Sequence, residues 1–202
     1  DPVLSRGLGD VYKRQPIINV PQSLTIVTDE EMLEKGMRSI GDIVRYTPGV
    51  NTSQGEGHRD AVVFRGVRST ADFFQDGARD DVQYYRSLYN VEQVEILRGP
   101  NALLFGRGGT GGALNRVTKK AVIGDSSSSI NLGMDSFGAF DVAADINMDL
   151  GDTMALRVNV HSDTLENHRD YYDGDRLGFN PTLRMKLSPE TTLDLSYEPV
   201  SY

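Results

Sequence analysis

The stretch Val91–Lys120, VEQVEILRGPNALLFGRGGTGGALNRVTKK, decides how this chain is read. Val94, Ile96 and Leu97 have β-favouring apolar character, and Gly99-Pro100 stops the run as a turn. Ala102–Phe105 is a second short apolar run, a strand or a short helix. Gly106, Gly108, Gly109, Gly111 and Gly112 then place five glycines in seven positions. Such density calls for positive φ or for backbone approach so close that a Cβ would clash. A strand pattern resumes from Ala113 to Thr118.

Gly106-Arg-Gly108-Gly-Thr-Gly111 fits G-x-G-x-x-G. A dinucleotide-binding loop must open a helix of several turns. The residues that follow, Gly112-Ala-Leu-Asn-Arg-Val-Thr, include β-branched residues and have no helical period. A packed glycine turn between strands is the better reading.

Leu97-Arg98-Gly99-Pro100, Leu104-Phe105-Gly106 and Gly111-Gly112-Ala113-Leu114-Asn115 together resemble the plug domain of TonB-dependent outer-membrane receptors, in particular the ferric-siderophore branch. Upstream segments agree in order: Val20-Pro21-Gln22-Ser23, Thr47-Pro48-Gly49-Val50, Phe64-Arg65-Gly66, and Asp76-Gly77 through Tyr84-Tyr85. The likeness covers 16–121. Asp1–Gln15 does not share it and is read as a cloning or assembly remnant, with Pro199–Tyr202 set aside alongside it.

The chain has 202 residues, a net charge of −8 and no cysteine. The acidic balance argues against nucleic acid, whose phosphates want a basic footprint. Without cysteine there are no disulfides or thiolate metal sites. No apolar run is long enough for a transmembrane helix, but a membrane β-barrel hides its apolar face by alternation.

In chain order, Ser23–Thr28 reads as a strand. Thr28 followed by Glu31 is a capping box opening a helix, and Gly36 stops it. A second helix covers Ser39–Tyr46, with Ile40, Ile43 and Val44 on one face, and Pro48-Gly49 ends it. The pair lacks the basic groups of a DNA-binding helix-turn-helix. Val50–Asp60, Val67–Ala71 and Ala78–Leu88 read as three loops between short strands at Ala61–Gly66 and Asp72–Gly77. Asn90 caps a helical turn before the Val94 strand. The whole is an α+β unit of about four strands.

A linker at 122–129 precedes a different pattern. Ile130, Leu132 and Met134 share one parity. Phe140–Leu150, Met154–Val160, Leu177–Leu187 and Leu193–Tyr197 alternate likewise, with Asp141, Asp145, Asn147, Arg157, Asn159, His161, Asn180 and Arg184 between the apolar positions. Five such segments predict an antiparallel meander. A soluble sandwich alternates too. The apolar parity carries no charge, and tight connections at Gly151-Asp152 and Ser188-Pro189-Glu190 oppose a long one at 163–175. Both point to a transmembrane barrel. A barrel that houses a plug needs about 22 strands, so five leave it incomplete. The chain is expected to be the N-terminal part of a much longer protein, and to need detergent alone.

No enzyme is expected. His58, His161 and His168 have no metal-ligand spacing, Asp76, Asp80 and Asp81 have no EF-hand order, and Ser126–Ser129 is not a nucleophile elbow. The resemblance implies instead a monomeric receptor in the outer membrane of a Gram-negative bacterium, contacting membrane lipid and a TonB-type energy-transducing protein, with its plug gating the lumen. No TonB-binding peptide is evident ahead of Pro16. It implies no cofactor, since iron travels as the siderophore chelate. It sets the three loops at the plug apex. Binding an anionic chelate calls for aromatic faces, arginines and amide donors: His58 and Arg59, then Arg68 and Ser69, then Arg79, Gln83, Tyr84 and Tyr85. Arg65 and Arg98, with Glu92 and Glu95, are expected to lock plug to barrel wall. The alternatives are another cargo, such as cobalamin, haem or a sugar, or a soluble β-rich binding module.

Overall fold

A computed structural model of the chain describes residues 23–53, 59–68, 72–80, 82, 84–99, 111–166 and 174–201. The chain divides into two compact units, one ending at Thr118 and one beginning at Lys119.

In the first unit, β1 (Ser23–Thr28) runs directly into α1 (Asp29–Glu34). The Thr28 hydroxyl accepts from the Glu31 N–H at 3.3 Å, as the sequence predicts. Glu31 does not return the bond. Its carboxylate takes Lys35 Nζ one turn on, at 2.5 Å. Gly36, at φ +61°, closes the helix: its N–H donates to Leu33 O, and the Met37 N–H donates to Met32 O. That is the Schellman pattern. The full capping box belongs to α2 (Ile40–Arg45), where Ser39 Oγ accepts from the Asp42 N–H and Asp42 accepts from the Ser39 N–H. Ile40, Ile43 and Val44 share the buried face of α2.

Two sheets receive these helices. One has the order β1-β7-β8-β5-β6 and contains β5 (Phe73–Gln75), β6 (Ala78–Arg79), β7 (Val91–Arg98) and β8 (Gly112–Thr118). All its pairings are antiparallel except β5 with β8. The other is β2 (Val50–Thr52), β3 (Val62–Phe64) and β4 (Val67–Arg68). Met32, Ile40, Ile43, Phe64, Phe73, Ile96 and Leu114 form one buried apolar cluster between helices and strands.

Against about four expected strands, the described residues of this unit hold eight. Five of these, β1, β3, β5, β7 and β8, fall on segments that read as strands in the sequence. The other three, β2, β4 and β6, have two or three residues each, too few to show a period. β2 exists because Val50–Thr52 pairs with Val62–Phe64, across what reads locally as loop. The helical turn expected at Asn90 is also absent: Asn90 lies in a turn that leads straight into β7. The Ala102–Phe105 run and Gly106, Gly108 and Gly109 lie outside the described residues. At Gly111 and Gly112 the close-approach reading holds. A Cβ on Gly112 would lie 2.4 Å from both Leu97 O and Phe64 Cδ1.

The second unit is an antiparallel meander of β9 (Ser127–Met134), β10 (Phe140–Asp149), β11 (Met154–Thr164), β12 (Asp175–Ser188) and β13 (Thr191–Ser196). All five alternating segments are strands. β9 starts inside the expected linker, because Ser127 to Ser129 pair with Asn147 to Asp145. β14 (Val200–Ser201) pairs with β12 beyond Pro199, so the residues set aside at the C-terminus continue the sheet. Among the described residues the sheet stays open, with β9 at one edge and β13 at the other.

Candidate functional site

Two hairpins prepare the first unit for its loops. Arg65-Gly66 joins β3 to β4, and Asp76-Gly77 joins β5 to β6. All four residues have positive φ (49°, 86°, 50° and 80°). This is the type I′ geometry, which matches strand twist in two-residue turns. The Asp76-Gly77 turn is riveted to β8. Asp76 accepts from the Thr118 N–H (2.9 Å) and hydroxyl (2.5 Å), and Asn115 Oδ1 accepts from the Gly77 N–H (3.0 Å). The start of the third loop is thereby fixed to the central strand.

The loop itself is folded around one cation. Arg86 is 1% exposed. Its Nε donates to Asp80 Oδ2 (3.0 Å), Nη1 to Tyr84 O (3.3 Å), and Nη2 to Asp80 O (3.1 Å) and Val82 O (2.7 Å). Its plane lies over the Phe73 ring at 3.8 Å and the Tyr84 ring at 4.4 Å. The Arg86 N–H donates to Asp60, tying the third loop to the end of the first. Asp80 Oδ2 also receives Arg116 Nη2 (2.9 Å) and the Tyr84 hydroxyl (2.8 Å). Arg116 Nη2 further donates to Gln75 and to the Tyr84 oxygen. A buried charge is tolerated only when paired and hydrogen-bonded, and here two guanidinium groups share one carboxylate. Burial pushes the Tyr84 hydroxyl pKa above its ordinary value. The hydrogen bond to Asp80 adds to this, and nearby Arg116 opposes it.

The candidate residues fall into distinct environments. Arg68 and Arg79 are exposed, and Arg79 lies over the Phe74 ring at 5.5 Å. Arg59 and Tyr85 are half-buried. Tyr84, the other expected aromatic, is also half-buried, with its hydroxyl engaged by Asp80 and Arg116 and its ring by Arg86. His58, Ser69 and Gln83 lie outside the described residues.

The expected lock residues also separate. Glu95 is buried in β7, with one oxygen accepting from Gln93 (2.8 Å) and the other from Asn115 (2.9 Å). Arg98 donates to Pro48 O and Thr25 Oγ1, stitching the α2 exit to β1 and β7. Arg65 is exposed at its hairpin tip, and Glu92 is half-buried. Arg86 and Arg116 were missed as site residues. A signal existed in Arg116: an arginine inside an apolar central strand demands an acid elsewhere, and loop 78–88 holds it.

The second unit has its polarity inverted relative to a soluble sheet. Ile130, Leu132 and Met134 are 71%, 70% and 78% exposed, and Phe140, Leu177 and Phe179 are exposed as well. Of the opposite parity, Asn147, Asn159, Asp163, Arg176, Asn180 and Arg184 are buried. Ion pairs cross the strands on that face. Arg157 grips Asp145 with Nε (2.8 Å) and Nη2 (2.7 Å), and Lys119 Nζ adds a third bond (3.0 Å). Arg184 grips Asp194 in the same bidentate way, and Arg176 pairs with Asp163. Grease outside and charge inside is the arrangement of a strand wall in lipid.

A small mixed unit with apical-type loops, followed by strands that expose their apolar face, defines a receptor plug leading into a membrane barrel. Residues 16–113 match the TonB-dependent receptor plug domain family. Over those residues the chain is a plug domain of the TonB-dependent receptor type, a family of receptors and transporters of Gram-negative outer membranes. It is 31% identical over 185 residues to the "Probable TonB-dependent receptor BfrD" of Bordetella pertussis, covering 89% of this chain and 25% of that protein. Among solved structures it is similar to the ferric-catecholate import receptor Fiu from E. coli K12, with TM-score 0.84 and 26% identity over 93% of this chain and 28% of that one. The siderophore receptor PiuA from Acinetobacter baumannii gives TM-score 0.85 and 26% identity, covering 92% and 27%. The chain thus spans about a quarter of the length of the relatives it matches.

Proposed function

We propose that this chain is part of an outer-membrane receptor that imports ferric siderophores, with its plug gating passage of the chelate. The observation that carries this reading is the likeness in fold to two siderophore receptors across nearly the whole chain. The chemistry of the third loop supports it. Arg79 is exposed, Val82 is 66% exposed and Tyr85 is half-buried, close in sequence to the Asp80, Val82 and Tyr84 groups that Arg86 hydrogen-bonds. A cation, an exposed aliphatic side chain and an aromatic suit a ferric chelate, often anionic, whose donor oxygens are partly negative and whose organic shell is apolar or aromatic. Arg59 and Arg68, with His58, Ser69 and Gln83, complete the proposed contact surface. Arg65 and Arg98, with Glu92 and Glu95, are the proposed lock to the barrel wall, Arg65 being the exposed member.

Energy comes from a TonB-type partner, the apolar strand face meets lipid, and iron is cargo rather than a resident cofactor. The test is growth of an iron-starved host lacking its own receptors on a panel of siderophores, with and without the complete gene. Growth on at least one ferric chelate, lost when the TonB-type protein is deleted, is expected. No growth on any ferric chelate, with receptor-dependent uptake of labelled cobalamin, haem or a sugar instead, would reassign the cargo.

A further inference from the structure

Among the described residues, the four side-chain hydrogen bonds of Arg86 end on Asp80, Val82 and Tyr84, and its guanidinium stacks on the rings of Phe73 and Tyr84. Three of those acceptors are the carboxylate of Asp80 and the main-chain oxygens of Val82 and Tyr84. The fourth is the Asp80 main-chain oxygen. A planar fork can gather acceptors in fixed directions, whereas an ammonium is a point charge with no plane to stack. The same loop turns Val82 and Arg79 to solvent. The buried cation therefore sets the shape of a surface it does not belong to.

We propose that Arg86 is a positioning residue for cargo: it holds the third loop in its binding conformation before the chelate arrives, and so sets affinity without touching the ligand. The inference rests on the proposal that this loop meets a ferric chelate. Its physical basis is preorganisation. A loop already ordered loses little conformational freedom on binding, so more of the contact energy appears as affinity. Asp80 is the other half of the device, since its one Oδ2 collects Tyr84, Arg86 and Arg116.

The test uses the full-length receptor in outer membranes with two radio-iron probes, a ferric tris-catecholate and a ferric trihydroxamate. Wild type, Arg86→Lys, Arg86→Gln, Tyr85→Ala and the Tyr85→Ala/Arg86→Gln double variant are compared in binding and uptake. Arg86→Gln is expected to raise the half-saturation concentration about tenfold, equivalent to ~1.4 kcal/mol, with the maximal uptake rate retained. Arg86→Lys should recover only part of the loss. The double variant should be little worse than the worse single one, because a positioning residue has less to position once its contact is gone.

Should Arg86→Gln not reach the membrane, Asp80→Asn serves instead, with the same expected split between half-saturation and rate. Unchanged half-saturation in a folded variant, or simple additivity with Tyr85→Ala, overturns the clamp. Failure of the wild type to bind either probe overturns the siderophore reading itself, a result the variants cannot mimic.

Discussion

Gly112 shows how a single missing atom can be structural. Its Cβ position is filled on one side by Leu97 O, which β pairing holds fast. Gly112→Ala is expected to destabilise the plug by about 2–3 kcal/mol through overpacking. Gly36→Ala should cost about 1 kcal/mol, from positive φ alone, because nothing lies within 4 Å of its Cβ position. The chain has no cysteine, so Val44→Cys in the buried face of α2 gives a clean thiol-protection readout in urea. Tyr84 adds a pH dependence. Its folded pKa is raised, so its contribution to stability is whole below the ordinary tyrosine value of about 10. That contribution is lost as pH rises through the higher folded value. The urea midpoint should fall at alkaline pH, and Tyr84→Phe should flatten the fall.

At the scale of elements, the turns carry the sharpest predictions. Arg65 occupies a positive-φ position of a type I′ turn, where Asn, Asp or Gly are at ease. Arg65→Asn should stabilise the plug by about 0.5–1 kcal/mol in the same urea assay. If Arg65 serves the lock proposed for it, uptake falls although stability rises. Ser39→Ala should cost about 1 kcal/mol by removing half of a capping box. Legibility varies with element length. Thr28, Gly36 and Gly49 marked the helix limits, and β1, β3, β5, β7 and β8 were visible as apolar runs. β2, β4 and β6 were not, because their partners lie across loops and two or three residues hold no period. The capping box was assigned to Thr28 because spacing alone cannot show that Glu31 prefers Lys35. Of the site, the exposed arginines could be read from composition. The Arg86–Asp80–Arg116 cluster could not, since a buried ion pair in a loop looks in sequence like a solvated one.

Taken as a whole molecule, the second unit was the most legible part, because period two survives over long strands. The alternation alone left open which face is covered. The exposed Ile130, Leu132 and Met134 against buried Asn159 and Asn180 decide it. Ile146→Arg is expected to cost about 2–4 kcal/mol in lipid and to block assembly, scored by heat-modifiable gel mobility. Ala143→Ser, on the opposite parity, should assemble normally.

The order of the plug sheet also has a consequence for biogenesis. Among the described residues β1 is hydrogen-bonded only to β7, with Ser23 opposite Arg98. A chain emerging from N- to C-terminus therefore carries its first strand with no mate until nearly the entire unit has been delivered. Such distant pairing slows closure of the sheet, so an early β1 is left waiting as an unpaired edge while the chain between it and Arg98 finds its own contacts.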